Sequence, residues 1–192
     1  KEFDRLKQAL ETELKDRESN PNAIASLVTN KLVYGDQHLF SIPSSGTLAS
    51  IKEIGMEDLK AYYKQLSPKN ASFHIAGALT KDQATSIVST INDFEGEAIT
   101  IPKQVLPTDS KAGNLYFVDV PDSKQSVIMI SKLALAATDE NANNLDFANE
   151  ILGGGSSGKL FQTLRIEKGY TYGAYSGFRN SLEIAPFTVR TS

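Results

Sequence analysis

The sequence LGGGSSGKLFQTLRIEKGYTYGAYSGF, residues 152–178, carries the most specific pattern in the chain. Its glycine run, Gly153–Gly155, follows an apolar helix-like segment and lets backbone lie against another backbone or a ligand, because glycine has no Cβ. Ser156 is predicted to cap a short amphipathic helix over residues 159–166. The aromatic residues that follow predict a strand over 172–178. The pattern indicates a helix, a tight loop, a second helix and a strand in succession.

Each piece of this stretch also has an ordinary structural interpretation. A run of glycine and serine is often a flexible connection, and alternating aromatic residues usually form the core side of a strand. The order and spacing of the pieces are more specific: Leu-Gly-Gly-Gly, small residues, Leu-Phe-Gln-x-Leu-Arg, three residues, then Gly-x-x-Tyr. This order resembles the signature of the second domain of pitrilysin-type zinc metallopeptidases, the inverzincin family of insulin-degrading enzyme and mitochondrial processing peptidase.

The resemblance extends over nearly the whole chain. Residues 50–66, SIKEIGMEDLKAYYKQL, are similar to a helix of the family that precedes a strand, which here ends in Gly77-Ala78-Leu79-Thr80. The segment Tyr34-Gly35-Asp36, with Gly46-Thr47 after it, is also similar. A half of such a peptidase is considerably longer than this chain. The resemblance therefore implies an excised piece with the later part of one domain, a linker and the earlier part of the next.

Composition and charge indicate a globular protein. Hydrophobic residues make up 40% and charged residues 22% of the 192-residue chain, which suits a folded protein with a real core. The net charge of −3, with acids and bases interspersed, does not suggest binding to nucleic acid or to an anionic membrane. No apolar run approaches the ~18 residues of a membrane span. The absence of cysteine excludes disulfides, thiol catalysis and thiolate metal sites, and it leaves the redox compartment open. The localisation stays unknown at this point, with cell envelope or periplasm slightly favoured over cytoplasm.

Periodicity and turn residues predict an α+β protein in which antiparallel sheets are covered by helices, as in a partial pitrilysin or processing-peptidase fold. Helices are predicted at residues 3–17, 22–34, 56–66, 139–152 and 159–166, with one more after Thr80. Strands are predicted at residues 71–77, 115–120, 126–132, 172–178 and 184–190, and the last two are predicted to form an antiparallel pair. Prolines and turn residues predict a linker at 94–113 between a first domain, 1–93, and a second, 114–192.

Histidine spacing bears on whether the chain could hold zinc itself. A catalytic half of the family carries His-x-x-Glu-His on one helix, which places two imidazoles and a glutamate base beside the metal. The two histidines here, His38 and His74, stand in the runs His-Leu-Phe-Ser-Ile and His-Ile-Ala-Gly-Ala. We therefore predict no metal ligand in this chain. The resemblance implies a non-catalytic half or subunit, with the zinc in a catalytic partner.

By the resemblance, two side chains after the Leu-Phe-Gln helix take part in peptide handling. They would be Arg165 and Tyr172, which would reach across a chamber to the partner's zinc site, bind the substrate backbone and stabilise the developing oxyanion. Gly153, Gly154 and Gly155 resemble the family's substrate-guiding loop, beside which a sheet edge could take an extended peptide. In the ordinary structural interpretation, Arg165 pairs with a nearby acid and Tyr172 packs in the sheet.

Three other interpretations stay open. The chain could be a truncated catalytic half whose His-x-x-Glu-His lies upstream, since Glu13 falls near the position of the family's third zinc ligand. It could be a structural homologue without peptide handling, like the core subunits that this family contributes to a respiratory complex. It could bind phosphate or a nucleotide at Gly153-x4-Gly158-Lys159, although Leu160 stands where magnesium binding needs Ser or Thr.

A piece that cuts through two domains is expected to expose strand edges and apolar helix faces. We therefore expect the isolated chain to associate with itself into a homo-oligomer. The expected partners of the native protein are a zinc-bearing catalytic half or subunit and a peptide substrate, without nucleic acid or a membrane span.

Overall fold

The computed structural model describes residues 1–89, 96, 99–100, 104–105, 113–179 and 181–192. Seven α-helices lie within these ranges: α1 Glu2–Glu18, α2 Pro21–Tyr34, α3 Leu48–Glu53, α4 Met56–Gln65, α5 Lys81–Ser89, α6 Ala142–Leu152 and α7 Lys159–Phe161. The three strands in the same ranges are β1 Ile128–Leu133, β2 Ala174–Phe178 and β3 Pro186–Thr191. Among the described helices, none is both long and apolar enough to cross a membrane.

The chain divides into two compact units that do not follow the order of the sequence. The first comprises residues 1–8 and 48–103, and the second comprises residues 9–47 and 104–192. The second unit thus includes an early segment of the chain that the linear division into domains had assigned elsewhere. The predicted domains at 1–93 and 114–192 with a linker at 94–113 stay a prediction, since much of that linker lies outside the described residues.

The second unit is built on an antiparallel sheet with the strand order β1-β3-β2. Thr191 of β3 lies opposite Ile128 of β1 on one side and Ala174 of β2 on the other. Helix α2 packs against β1, and α6 and α7 pack against β2. These helices on an antiparallel sheet confirm the predicted α+β class and the predicted pairing of the two C-terminal strands.

An aromatic cluster forms part of the core of the second unit. The rings of Tyr34 and His38 stack with centroids 4.6 Å apart, and Phe40 meets the Tyr34 ring edge-on at 5.4 Å. The Tyr34 hydroxyl donates a hydrogen bond to the carbonyl of Ile184, which ties the end of α2 to the segment before β3. Burial raises the pKa of the Tyr34 hydroxyl above its usual range, although the positive charge of Arg179 acts in the opposite direction.

Two predicted strands are not strands in the structure. Residues 71–77 in the first unit and 115–120 in the second are outside any hydrogen-bonded ladder. Alternating side chains favour an extended chain, but a strand also needs a partner, and neither segment has one among the described residues. In the second segment, Leu115 and Phe117 are 96% and 89% exposed. Sequence alternation is therefore not enough to predict a strand.

Helical spacing in the sequence predicts burial of Leu59 and Tyr62 in α4 and of Phe147 in α6, and both predictions are wrong. In α4, Leu59 and Tyr62 are exposed, as is Leu66 directly after the helix. In α6 the buried positions are Ala142 and Asn149, whereas Phe147 is 74% exposed. Helix α6 turns Asn149 toward β2, because the amide side chain of that residue has a hydrogen-bond partner there. A polar contact thus decides which face of this helix is buried, and hydrophobic spacing alone does not reveal it.

Candidate functional site

The glycine run Gly153–Gly155 packs against the rest of the second unit. Gly153 ends α6, and the amides of Gly153 and Gly154 both donate to the carbonyl of Asn149 at 2.8 Å. The carbonyl of Gly153 accepts a hydrogen bond from the Ser176 amide of β2, also at 2.8 Å. Beside this bond, the buried Ser176 hydroxyl donates to the side-chain oxygen of Asn149 at 2.7 Å. The start of the loop is therefore bonded to the outer edge of β2.

Close backbone contact explains the glycines at two positions. A Cβ on Gly153 would lie 2.7 Å from the Ser176 amide nitrogen and 2.7 Å from a methyl carbon of Leu160. A Cβ on Gly158 would lie 2.8 Å from the Gly153 Cα. By contrast, a Cβ on Gly155 would meet nothing within 4 Å. Gly155 is therefore the member of the run with room for a ligand.

The same hydrogen bonds weaken the phosphate-binding interpretation. A phosphate-binding loop cradles its ligand with backbone amides that are not used elsewhere. Here the amides of Gly153 and Gly154 are bonded to Asn149, and the Gly158 amide donates to the carbonyl of Gly155 at 3.0 Å. The loop also follows a helix, α6, where a phosphate-binding loop follows a strand.

The helix after the glycine run begins at Lys159, where it was predicted to begin, and then changes its winding. The residue at its N-cap is Gly158, so the prediction that Ser156 caps it is wrong. The Ser156 carbonyl instead accepts a hydrogen bond from the Gln162 side chain at 2.7 Å. After α7 the chain continues as a π-helical turn, Gln162–Glu167, in which the Lys168 amide donates to the Thr163 carbonyl five residues back. Such turns inside helices are frequent at functional sites.

Arg165 lies in this π-helical turn and meets Tyr172. The guanidinium carbon of Arg165 lies 4.8 Å from the centre of the Tyr172 ring, which is a cation–π arrangement. One Arg165 nitrogen also donates a long hydrogen bond, 3.5 Å, to the carbonyl of Thr171. Gly169, at φ +65°, makes the reversal between the two side chains, so the predicted proximity of the two residues is confirmed. Tyr172 itself is 77% exposed, which is contrary to the interpretation that it packs in the sheet.

The Arg165–Tyr172 pair borders a hollow of about 600 Å³ in the second unit. Lys124, Gln125 and Tyr170 are among the other residues that line it. The glycine run does not line this hollow. The structure therefore brings Arg165 and Tyr172 together and leaves the glycine run outside the hollow that they share.

Neither histidine lies in a cluster of metal-binding side chains. His38 is 2% exposed, and its Nδ1 accepts a hydrogen bond from the Phe40 amide at 3.0 Å. His74 lies in the segment 71–77, outside any helix or strand. Over the residues that the structure describes, no three His, Cys, Asp or Glu side chains are grouped in a way that could hold a metal ion. The described part of the chain therefore does not fit a zinc ion.

Sequence reasoning missed the polar residues that hold this region together. Asn149 and Ser176 are buried and bonded to each other, and Thr171 is buried directly before Tyr172. One signal was present for Asn149, which follows Leu145 by four residues and so lies on the same helical face. A polar residue at such a position often has a buried partner.

Two curated relatives are similar to most of the chain. An uncharacterized zinc protease of Bacillus subtilis (strain 168) is 24% identical over 178 residues, which cover 91% of this chain and 42% of the relative. An uncharacterized zinc protease of Mycobacterium leprae (strain TN) is 22% identical over 170 residues, which cover 85% of this chain and 37% of the relative. The chain thus spans less than half the length of each relative.

Solved structures and a family model agree with these relatives. A peptidase M16 inactive domain from Pseudomonas fluorescens matches 99% of this chain and 46% of its own, with a TM-score of 0.86 and 27% identity. A protease from Helicobacter pylori shares the fold, with a TM-score of 0.83 and 17% identity over 99% of this chain and 47% of its own. The model of the family described as "Peptidase M16 inactive domain" matches residues 53–192. Since that match covers most of the chain, the resemblance seen in the sequence is confirmed, and the chain belongs to the peptidase M16 inactive-domain family.

Proposed function

We propose that this chain is the non-catalytic, substrate-binding part of a zinc-dependent metalloendopeptidase. The zinc site that hydrolyses the peptide bond would be supplied by another domain or subunit. The observation that carries the proposal is the contact between Arg165 and Tyr172 beside an open hollow. Membership of an inactive-domain family and the zinc-protease names of the relatives support it.

The two side chains have the chemistry that peptide hydrolysis requires of a non-catalytic partner. When water attacks a peptide carbonyl, negative charge develops on the carbonyl oxygen, and preorganised hydrogen-bond donors stabilise that charge. The Tyr172 hydroxyl offers one such donor on an exposed side chain. The guanidinium of Arg165 offers a planar set of donors to the substrate backbone. The chain's own role is to bind and orient the peptide, since its described residues do not fit a zinc ion.

The glycine run would contribute to substrate binding at its far end. Gly153 is already bonded through its carbonyl to β2, whereas Gly155 has open space around its Cα. A peptide that approaches this loop would therefore contact Gly155 before the other two glycines. The truncated-catalytic interpretation stays a prediction, and in this structure Glu13 is an exposed side chain on α1.

The isolated chain would also pair with another copy of itself. Leu115 and Phe117 expose large apolar side chains on a segment without a ladder partner among the described residues. Such segments readily add to a sheet edge of a second molecule. Light scattering of the purified chain would show dimers or larger species, and a monomer at high concentration would contradict this part of the proposal.

The main test is Tyr172→Phe in the assembly of this protein with its catalytic half. The substitution removes one hydroxyl and little volume, so the fold should be unchanged. We expect turnover of a peptide substrate to fall by about 10²–10³, as for loss of other oxyanion donors. Wild-type turnover by the variant assembly would refute the catalytic contribution. Metal analysis of the isolated wild-type chain should find no stoichiometric zinc, and one tightly held zinc per chain would refute its non-catalytic role.

A further inference from the structure

Thr171 is a buried threonine directly before the exposed Tyr172. Its side-chain oxygen accepts a hydrogen bond from the Gly173 amide at 3.1 Å and lies 3.0 Å from the Gly173 carbonyl. It also hydrogen-bonds to the carbonyl of Ser192. The hydroxyl of Thr191, on β3, is a further partner at 3.0 Å. One hydroxyl group thus joins the segment before β2 to the end of β3.

These hydrogen bonds hold the backbone on both sides of Tyr172. The residue lies between Thr171 and Gly173, and the Thr171 hydroxyl accepts a hydrogen bond from the Gly173 amide. Because the Tyr172 side chain is mostly exposed, its position depends on the backbone that carries it more than on packing around the ring. Side-chain hydroxyls that bond the backbone two residues on are known to fix local turns in this way.

Thr171 also contacts the other member of the pair. Its carbonyl accepts the long hydrogen bond from Arg165 at 3.5 Å. Arg165 is therefore held by the Thr171 backbone on one side and by the Tyr172 ring on the other. A change at Thr171 that shifts this backbone would move the ring and the guanidinium relative to each other.

We infer that Thr171 is a positioning residue, whose hydroxyl holds Tyr172 in contact with Arg165. The inference concerns the geometry of the pair, and its effect on turnover rests on the proposed function. Removing the hydroxyl would release the turn around Tyr172 without substituting either of the two functional side chains. Small displacements of positioned groups lower turnover strongly, because the reacting atoms must be held in a narrow range of geometry.

The test compares substitutions that differ by one hydroxyl. Thr171→Val keeps the size of the side chain and removes the hydrogen bonds, whereas Thr171→Ser keeps the hydroxyl. Thr188→Val is the matched control, since Thr188 on β3 exchanges a 2.7 Å hydrogen bond with Ser131 and is not part of the Thr171 network. Should Thr171→Val fail to fold, Thr191→Val removes one partner of the same hydroxyl and leaves Thr171 unchanged.

The measurement is the NMR signal of the Arg165 side chain in the full-length protein. If Thr171 only stabilised the fold, its substitution would leave this signal unchanged. With ¹⁵N-arginine, the Arg165 Nε–H signal is assigned by its loss in Arg165→Lys. The Tyr172 ring shifts this signal, and Tyr172→Leu gives the position without the ring. We expect Thr171→Val, or Thr191→Val in part, to move the signal toward the Tyr172→Leu position. Thr171→Ser and Thr188→Val should leave it in place.

Turnover then separates this inference from the proposed function. In the assembled peptidase we expect Thr171→Val to lower kcat about tenfold with little change in KM, and Thr171→Ser to restore it. An unchanged Arg165 signal in Thr171→Val, or an equal shift in Thr188→Val, would overturn the positioning role. A shifted signal with wild-type turnover would support positioning and refute the catalytic use of the pair.

Discussion

The two ends of the stretch 152–178 are built in opposite ways. At the glycine end, backbone groups of Gly153 and Gly154 are bonded to α6 and β2, and Gly153 has no room for a Cβ. At the other end, Arg165 and Tyr172 form a cation–π contact beside an open hollow, and the tyrosine is mostly exposed. One motif thus contains a tightly bonded scaffold and an accessible pair of polar side chains. The difference teaches that a glycine run in a signature can serve backbone packing as well as a ligand.

The largest effect on stability is expected from Gly153→Ala, which tests the tightly bonded glycine end of the stretch. The added Cβ would overlap the Ser176 amide nitrogen and Leu160. A backbone atom in a sheet cannot move aside as easily as a flexible side chain, so we expect a loss of about 3 kcal/mol in the free energy of unfolding. Chemical denaturation of the full-length variant measures it. A loss below about 0.5 kcal/mol would show that the glycine end is not tightly packed.

A smaller loss is expected from Asn149→Leu, which leaves the buried Ser176 hydroxyl without its partner. An unsatisfied buried polar group costs about 1–3 kcal/mol. The double variant Asn149→Leu, Ser176→Ala should recover part of that loss, because neither partner is then left unsatisfied. Equal stability of the single and double variants would indicate that the packing of the two side chains, and not their hydrogen bond, determines what this pair contributes to stability.

The sequence predicted the fold class, the C-terminal strand pairing and the proximity of Arg165 to Tyr172. The proximity follows from local spacing, since Tyr172 is seven positions after Arg165 and one glycine reversal lies between them. The unpaired segment 115–120 and the buried face of α6 were not predicted. Each depends on a contact distant in sequence, and the Ser176 hydroxyl that orients α6 is 27 residues from Asn149. Periodicity reports local geometry and carries no information about such partners.

The other end of the stretch, with the accessible Arg165–Tyr172 pair, is tested by Arg165→Ala in the assembled peptidase. The substitution removes a charged hydrogen-bond donor and the contact with the Tyr172 ring, so we expect peptide binding to weaken about tenfold. Stability should change by only about 0.5–1 kcal/mol, since an exposed cation–π contact contributes little. Calorimetric titration with a non-cleaved peptide measures the loss of binding, and thermal unfolding measures the change in stability. A large loss of stability with normal binding would assign Arg165 to the scaffold.

The smallest effect on stability is expected from Gly155→Ala, the matched control for Gly153→Ala. A Cβ at this position meets nothing within 4 Å, and Gly155 does not have a positive φ, so neither overlap nor strain opposes it. We expect the free energy of unfolding to stay within about 0.5 kcal/mol of the wild type. If a peptide backbone lies against this glycine, the added methyl group should still raise KM in the assembled enzyme. Unchanged stability together with unchanged KM would limit the substrate-binding surface to Arg165, Tyr172 and the hollow beside them. A higher KM would extend that surface to the far end of the glycine run, where Gly155 is the one position of the run at which an added Cβ meets no other atom.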